Sequence, residues 1–134
     1  MTVVDASAIV DLLAPSDAAR RERLMAELPE PAIPWLAPDI LIVEVYAVLR
    51  RHVLRGVLSH ALAGRGLQRL RRLPIALMPT ADLLPTAWSL RDNFSAADSL
   101  YAALALRAAE PLLTTDLRLA RAAGAVGVEV LTAA

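Results

Sequence analysis

Four acidic residues stand where a soluble protein normally places apolar side chains: Asp5, Glu44, Asp98 and Asp116. Asp5 ends the apolar run Thr2-Val3-Val4, and Asp116 closes Pro111-Leu112-Leu113-Thr114-Thr115. Glu44 interrupts Ile40-Leu41-Ile42-Val43 and Val45, and Asp98 lies between Ala96-Ala97 and Tyr101-Ala102-Ala103-Leu104. A carboxylate in such surroundings loses hydration and needs compensation. Neighbouring carboxylates repel, so without a counter-ion some would take up protons. A divalent cation compensates all of them at once, and an oxygen-only ligand set without His or Cys suits Mg²⁺ or Mn²⁺. The matching chemistry is phosphodiester hydrolysis, in which the metal polarises the phosphate and activates a water.

Each acid also has a plain structural explanation. Ser95-Ala96-Ala97-Asp98 fits a capping box, and Asp116 can simply cap the next helix. Glu44 is harder to dismiss. Its neighbours one turn away are Ile40, Leu41, Ala47 and Val48, which put it on an apolar helix face with no cation in reach.

The elements that must position these residues alternate. Strands are expected at Thr2–Asp5, Ile75–Met78, Leu112–Thr115 and Val128–Leu131, with a short one at Ala32-Ile33 between prolines. Helices are expected over Ser7–Leu13, from an N-cap at Ser16 or Asp17, from Pro38-Asp39 to Arg55 with Gly56 as the stop, over Ser59–Leu73, over Thr80–Arg91 with a kink at Pro85, from Ala96 to Ala109 behind Ser95, and over Leu117–Ala123. Alternating strands and helices make a parallel sheet covered on both faces. In such sheets sites form at the carboxyl ends of strands, where Asp5 and Asp116 fall. The length of 134 residues and the absence of repeats or linkers fit one domain over residues 1–134.

Composition narrows the function further. No apolar run reaches the span of a membrane helix, and no basic segment precedes an apolar one at the N-terminus, so a cytoplasmic protein with no membrane association is expected. There are no cysteines, which removes thiol catalysis and zinc–thiolate sites. All 14 basic residues are Arg, so no lysine is available as Schiff base or phosphate clamp. That excludes a phosphoacceptor receiver domain and a dehalogenase-like phosphatase; the latter also needs Asp-x-Asp where this chain has Asp5-Ala6-Ser7. No glycine-rich phosphate loop is present.

The formal charge of zero argues against a strongly basic nucleic-acid-binding domain. The candidates for contact with phosphates are Arg50, Arg51 and Arg55, with Arg65, Arg69, Arg71 and Arg72 on the following helix. The plain alternative is a solvated face with favourable charge at a helix C-terminus. Trp35, Tyr46, Trp88, Phe94 and Tyr101 read as core residues, and His52 and His60 lie away from every acid motif.

The order of the segments Val3-Val4-Asp5-Ala6-Ser7-Ala8, Ala37 to Val45, Phe94 to Ala105 and Pro111 to Ala120 resembles the PIN-domain ribonucleases, and within them the VapC-like toxins of bacterial toxin–antitoxin pairs. The resemblance spans the whole chain. It implies a three-layer α/β/α sandwich around a central parallel sheet, and metal-dependent endonucleolytic cleavage of RNA with Mg²⁺, or Mn²⁺ in its place. Asp5 and Asp98 match the acids that hold the metal most directly, and Glu44 and Asp116 match the rest of the quartet. Ser7 and Thr115 match the small hydroxyl residues that orient the carboxylates or a bound water. A homodimer and a cognate antitoxin covering the active-site groove are also implied. One position departs: the residue before Asp98, often large or aromatic in the family, is Ala97. The alternative is a catalytically silent PIN fold that binds RNA or protein; a complete quartet argues against it.

Overall fold

The computed structural model describes residues 1–14 and 17–134. Five parallel strands form one sheet: β1 (Val3–Val4), β2 (Trp35–Pro38), β3 (Ile75–Met78), β4 (Leu112–Thr114) and β5 (Val130–Thr132). Seven helices appear among the described residues: α1 (Ala6–Leu13), α2 (Ala18–Ala26), α3 (Ile40–Leu54), α4 (His60–Leu70), α5 (Thr80–Ser89), α6 (Ala96–Ala108) and α7 (Leu117–Ala125). The architecture is the expected α/β sandwich.

The strand order is β3-β2-β1-β4-β5. The chain therefore builds outward from β1 to β2 and β3, then crosses back and continues on the other side with β4 and β5. The place where the order reverses lies between β1 and β4, which pair through Val3 with Leu112 and Val4 with Leu113. Outside the carboxyl ends of two such strands an open α/β sheet leaves a crevice.

The apolar strands become the core because helices cover them. Val3, Val4, Leu112 and Leu113 are essentially inaccessible to solvent, as are Ile9 and Leu12 of α1, Leu41 and Val45 of α3, and Ala102 and Ala103 of α6. The small residues of α6 let it lie close to the sheet, where it touches β1, β2 and β4. α1 packs on α2, α3 and α4, and α5 packs on α6.

Local signals set most boundaries. Asp17 caps α2 by accepting from the Arg20 N–H at 3.1 Å; the alternative cap, Ser16, lies outside the described residues. α3 ends at Leu54, and Gly56 takes a φ of +73° that only glycine adopts without strain. Pro85 is accommodated inside α5.

One strand falls elsewhere than expected. Ile33 makes only an isolated antiparallel bridge to Glu30, and the strand is Trp35–Pro38. Pro38 lacks a ladder N–H, but as the last residue of β2 it costs the sheet one bond only. The Asp39 N–H then bonds the Met78 carbonyl at 2.9 Å. α4 stops at Leu70 instead of Leu73, because Arg71 to Leu73 turn toward β3.

Candidate active site

Asp5 leaves β1 and caps α1, Asp116 follows β4 and caps α7, Asp98 sits in the first turn of α6, and Glu44 in the second turn of α3. All four come to the carboxyl end of β1 and β4. They lie close enough for their charges to interact: the Asp116 charge acts on Asp5 and on Asp98, and the Asp98 charge acts on Glu44.

Asp5 is the anchor. It is 4% exposed. One oxygen accepts from the Ala8 N–H at 3.0 Å, and the other from the Thr114 hydroxyl at 2.7 Å. The Ser7 hydroxyl reaches both oxygens, at 2.8 and 2.9 Å. Burial nonetheless outweighs these donors and pushes the Asp5 carboxyl up to about 6, with the Asp116 charge adding to the rise.

Thr114 ties the two strand-end acids together. It is fully buried, donates to Asp5, and accepts the backbone N–H of Asp116 at 3.0 Å. Asp116 in turn caps α7 through the N–H groups of Arg118 and Leu119, at 2.9 and 3.2 Å. The capping function expected for Asp116 is therefore real, and so is its place in the cluster.

Glu44 is half-buried and accepts from the Tyr101 hydroxyl at 2.5 Å. Burial raises its carboxyl above the ordinary range, the Asp98 charge raises it further, and the Tyr101 hydrogen bond opposes both. Burial likewise raises Asp98, against Ser95 and Arg118 and with the Asp116 charge. Ser95 caps α6 by accepting the Asp98 N–H at 3.2 Å. Among the described residues the only salt bridge to any of the four acids is Arg118 to Asp98, at 3.5 Å. The Arg118 side chain is 79% exposed, so solvent screens that pair heavily.

Three desolvated carboxyls raised above their usual range, facing one exposed arginine, form a site short of positive charge. Among the described residues, no three of His, Cys, Asp and Glu converge tightly enough to cage an ion. The donor set fits a hard cation that keeps its own waters, taking one or two carboxylates directly and the others through water, which is how Mg²⁺ binds. It does not fit a dehydrated, fully caged ion.

The sequence expectation for the hydroxyl residues needs one correction. Ser7 donates to Asp5, and it also accepts the Thr115 N–H at 3.2 Å. The Thr115 hydroxyl, however, donates to Asp11 at 2.7 Å, outside the acid cluster. The alternation of side chains along β4 turns Thr115 away and Thr114 inward. Thr114 therefore holds the position assigned to its neighbour. Tyr101 has its ring in the core, as its apolar surroundings predict, but its hydroxyl reaches Glu44. Trp88 and Tyr46 are not core residues, being 69% and 50% exposed. His52 lies in the last turn of α3 and His60 opens α4.

Arg50, Arg51 and Arg55 lie on the exposed side of α3, where they line a shallow depression of about 590 Å³ with Val43, Tyr46, Ala47 and Leu54. Arg65, Arg69, Arg71 and Arg72 are exposed on and after α4. No helix among the described residues is long and apolar enough to cross a membrane.

Comparison with known proteins agrees with this architecture. The PIN domain family matches residues 2–125, and the chain belongs to that family, whose members are typically nucleases. No curated protein sequence matches. Among solved structures, the chain is similar to VapC20 of Mycobacterium tuberculosis, described as a sarcin–ricin-loop-cleaving toxin. The TM-score is 0.69 at 20% identity, covering 96% of each chain. It is similar to FitAB bound to a DNA fragment, with a TM-score of 0.70 at 19% identity, covering 99% of this chain and 95% of that one. FitAcB of Neisseria gonorrhoeae has a TM-score of 0.68 at 18% identity, covering 99% and 98%.

Proposed function

We propose that this PIN-domain chain is a metal-dependent endoribonuclease, the toxin of a toxin–antitoxin pair, acting as one domain over residues 1–134. Its substrate is RNA, and its site is Asp5, Glu44, Asp98 and Asp116 with Mg²⁺ or Mn²⁺. One observation carries the reading: acids from four separate elements meet at the β1–β4 switch point, desolvated and short of positive charge. Such an arrangement is costly to a fold unless something cationic completes it.

Asp5 and Asp98 would hold the cation most directly, with Asp116 and Glu44 completing the set. The cation, when bound, supplies charge stabilisation at the phosphate and a more acidic water. The protein's own contribution is orientation. Ser7, Thr114 and the Ala8 N–H fix both Asp5 oxygens. Ser95 and Asp116 set the helix starts from which Asp98 and α7 project. Carboxylates held in this way need no rearrangement when the substrate arrives.

The toxin assignment draws support from the fold shared with VapC20 and the Fit proteins. A protein antitoxin would cover the acid groove, and a homodimer in the cytoplasm is the proposed form. Arg50, Arg51 and Arg55 are the proposed phosphate contacts. With zero net charge, recognition would rest on RNA shape and exposed single-stranded loops rather than bulk electrostatics.

The test is cleavage of total bacterial RNA by the purified chain with Mg²⁺, with EDTA, and by Asp98→Ala. Discrete fragments that vanish with EDTA and in the variant are expected. Undiminished cleavage by Asp98→Ala would overturn the site. Failure to cut, with RNA still retained in a binding assay, would favour a silent binding module.

A further inference from the structure

Asp5 and Asp116 are held by backbone N–H groups and Asp98 faces Arg118, whereas Glu44 has neither kind of partner. Among the described residues its carboxylate accepts a single hydrogen bond, from the Tyr101 hydroxyl to Oε1 at 2.5 Å, and no basic side chain pairs with it. Tyr101 is 1% exposed and lies one turn after Asp98 on α6, so the same helix face presents an acid of the cluster and the donor for another. The ring is wedged in the core, which fixes the hydroxyl without mobile atoms. A glutamate on a helix otherwise sweeps several rotamers; this contact selects one.

We propose that Tyr101 is a positioning residue for the metal site, holding Glu44 by one carboxylate oxygen so that Oε2 alone is free for the cation or its water shell. This rests on the reading of the acid cluster as a divalent-cation site. The choice of donor is informative. An arginine or lysine in the place of Tyr101 would also hold Glu44, but its charge would neutralise the carboxylate and repel the cation. A phenol orients without adding charge. Partners of this kind, which touch a ligand and not the metal, commonly change metal affinity when removed.

The plain alternative is that the hydroxyl merely satisfies itself on the nearest acceptor, as buried tyrosines do. The two differ in what Tyr101→Phe changes. That variant keeps the packed ring and removes only the donor. The experiment is titration of the metal-free full chain with Mn²⁺, following the free ion by electron paramagnetic resonance, for the parent, Tyr101→Phe, Glu44→Gln and the double variant. Melting of each metal-free protein serves as the fold control.

Tyr101→Phe is expected to weaken Mn²⁺ binding about tenfold, the lower end for such partners. The double variant is expected to bind no more weakly than Glu44→Gln, because Tyr101 acts only through Glu44. Parent-like affinity in Tyr101→Phe would overturn the proposal and leave the nuclease reading intact. Losses that multiply in the double variant would overturn it too, since Tyr101 would then act independently of Glu44. A parent that binds no Mn²⁺ would overturn both readings. A drop in metal-free melting with affinity unchanged would reduce Tyr101 to a structural residue.

Discussion

The acid edge and the arginine face are built on opposite plans. At the acid edge four side chains come from α1, α3, α6 and α7 or their caps; several hydrogen bonds fix Asp5 and Asp116, one holds Glu44, and Asp98 faces Arg118. On α3 and α4 the arginines come from consecutive turns of two adjacent helices and stay exposed. The hydrogen bond seen there joins Arg71 to Gln68, three residues earlier. Ordering the first set costs desolvation and entropy; leaving the second mobile costs nothing until a partner binds. The first plan suits groups that must be in place before a reaction, the second groups that adapt to a long polyanion. Under the proposed function, turnover belongs to the acids and affinity to the arginines.

The sharpest break is to remove an acid. Asp5→Asn keeps the shape of the α1 cap but deletes a charge, and should lower the cleavage rate about a thousandfold, in the range seen when a preorganised electrostatic group is lost. RNA retention by the same variant should be unchanged or tighter, because a repulsive charge facing phosphate has gone. A rate loss explained wholly by weaker retention would dissolve the division between the two regions.

Proton linkage gives the next largest effect. The folded Asp5 carboxyl titrates at about 6, above its ordinary value of 3.8, so between these pH values the folded state holds more protons than the unfolded one. Stability of the metal-free protein should therefore fall as pH rises through that window, by about 3 kcal/mol for this group. Glu44 and Asp98 are raised as well and push the same way. Denaturant melts at pH 4.5 and 7.5 in EDTA test the sign, and added Mg²⁺ should recover stability at pH 7.5 only. A metal-free protein that is more stable at pH 7.5 would show that the carboxylates are not under strain.

Thr114 and Thr115 are neighbours with different work. Thr114→Val removes one of the two hydroxyl donors within reach of the same Asp5 oxygen and the acceptor of the Asp116 N–H, and should cost about 2 kcal/mol of stability. Cleavage should fall as well, because both strand-end acids lose their common tie. Thr115→Val removes the contact to Asp11, which also forms a part-buried ion pair with Arg20, and should leave the cleavage rate within about twofold. Equal rate losses in the two variants would mean that the β4 alternation does not decide which hydroxyl serves the site.

That pair also shows where the sequence is legible. Unbroken apolar runs at β1 and β4, and caps at Asp17, Ser95 and Asp116, announce themselves because the signal is local. Among the acids Glu44 stands out most, because a charge on an apolar helix face has no local explanation, whereas Asp98 and Asp116 also read as capping residues. β2 was hidden by Pro34 and Pro38 on either side of Trp35-Leu36-Ala37, which make a strand look like a loop, and its partners β1 and β3 are distant in sequence. A threonine in a strand is equally at home as a β-former or as a hydrogen-bond donor, and only the facing element decides. Tyr101 is the same case on a helix: its burial is readable, its hydroxyl's target on α3 is not. Trp88 shows the reverse error, an aromatic among apolar residues that ends up outside, stacked under Arg91 at 4.7 Å.

The smallest effects belong to the arginine face, and they sharpen the comparison most. Replacing Arg50 or Arg51 by Ala removes an exposed side chain that no described acid pairs with, so the fold should be unaffected. If these residues meet phosphates, each replacement should raise KM several-fold, leave kcat unchanged, and reduce the slope of log affinity against log salt by about one. Arg118→Ala is the control that crosses the boundary. It lies beside Asp98 at the acid edge but is as exposed as the α3 arginines. Loss of its partial compensation should tighten Mn²⁺ binding slightly while weakening RNA binding like its counterparts. An unchanged salt slope in Arg50→Ala and Arg51→Ala, with a reduced one in Arg118→Ala, would move the RNA path off α3 and along α7, and affinity and turnover would then share one edge of the sheet.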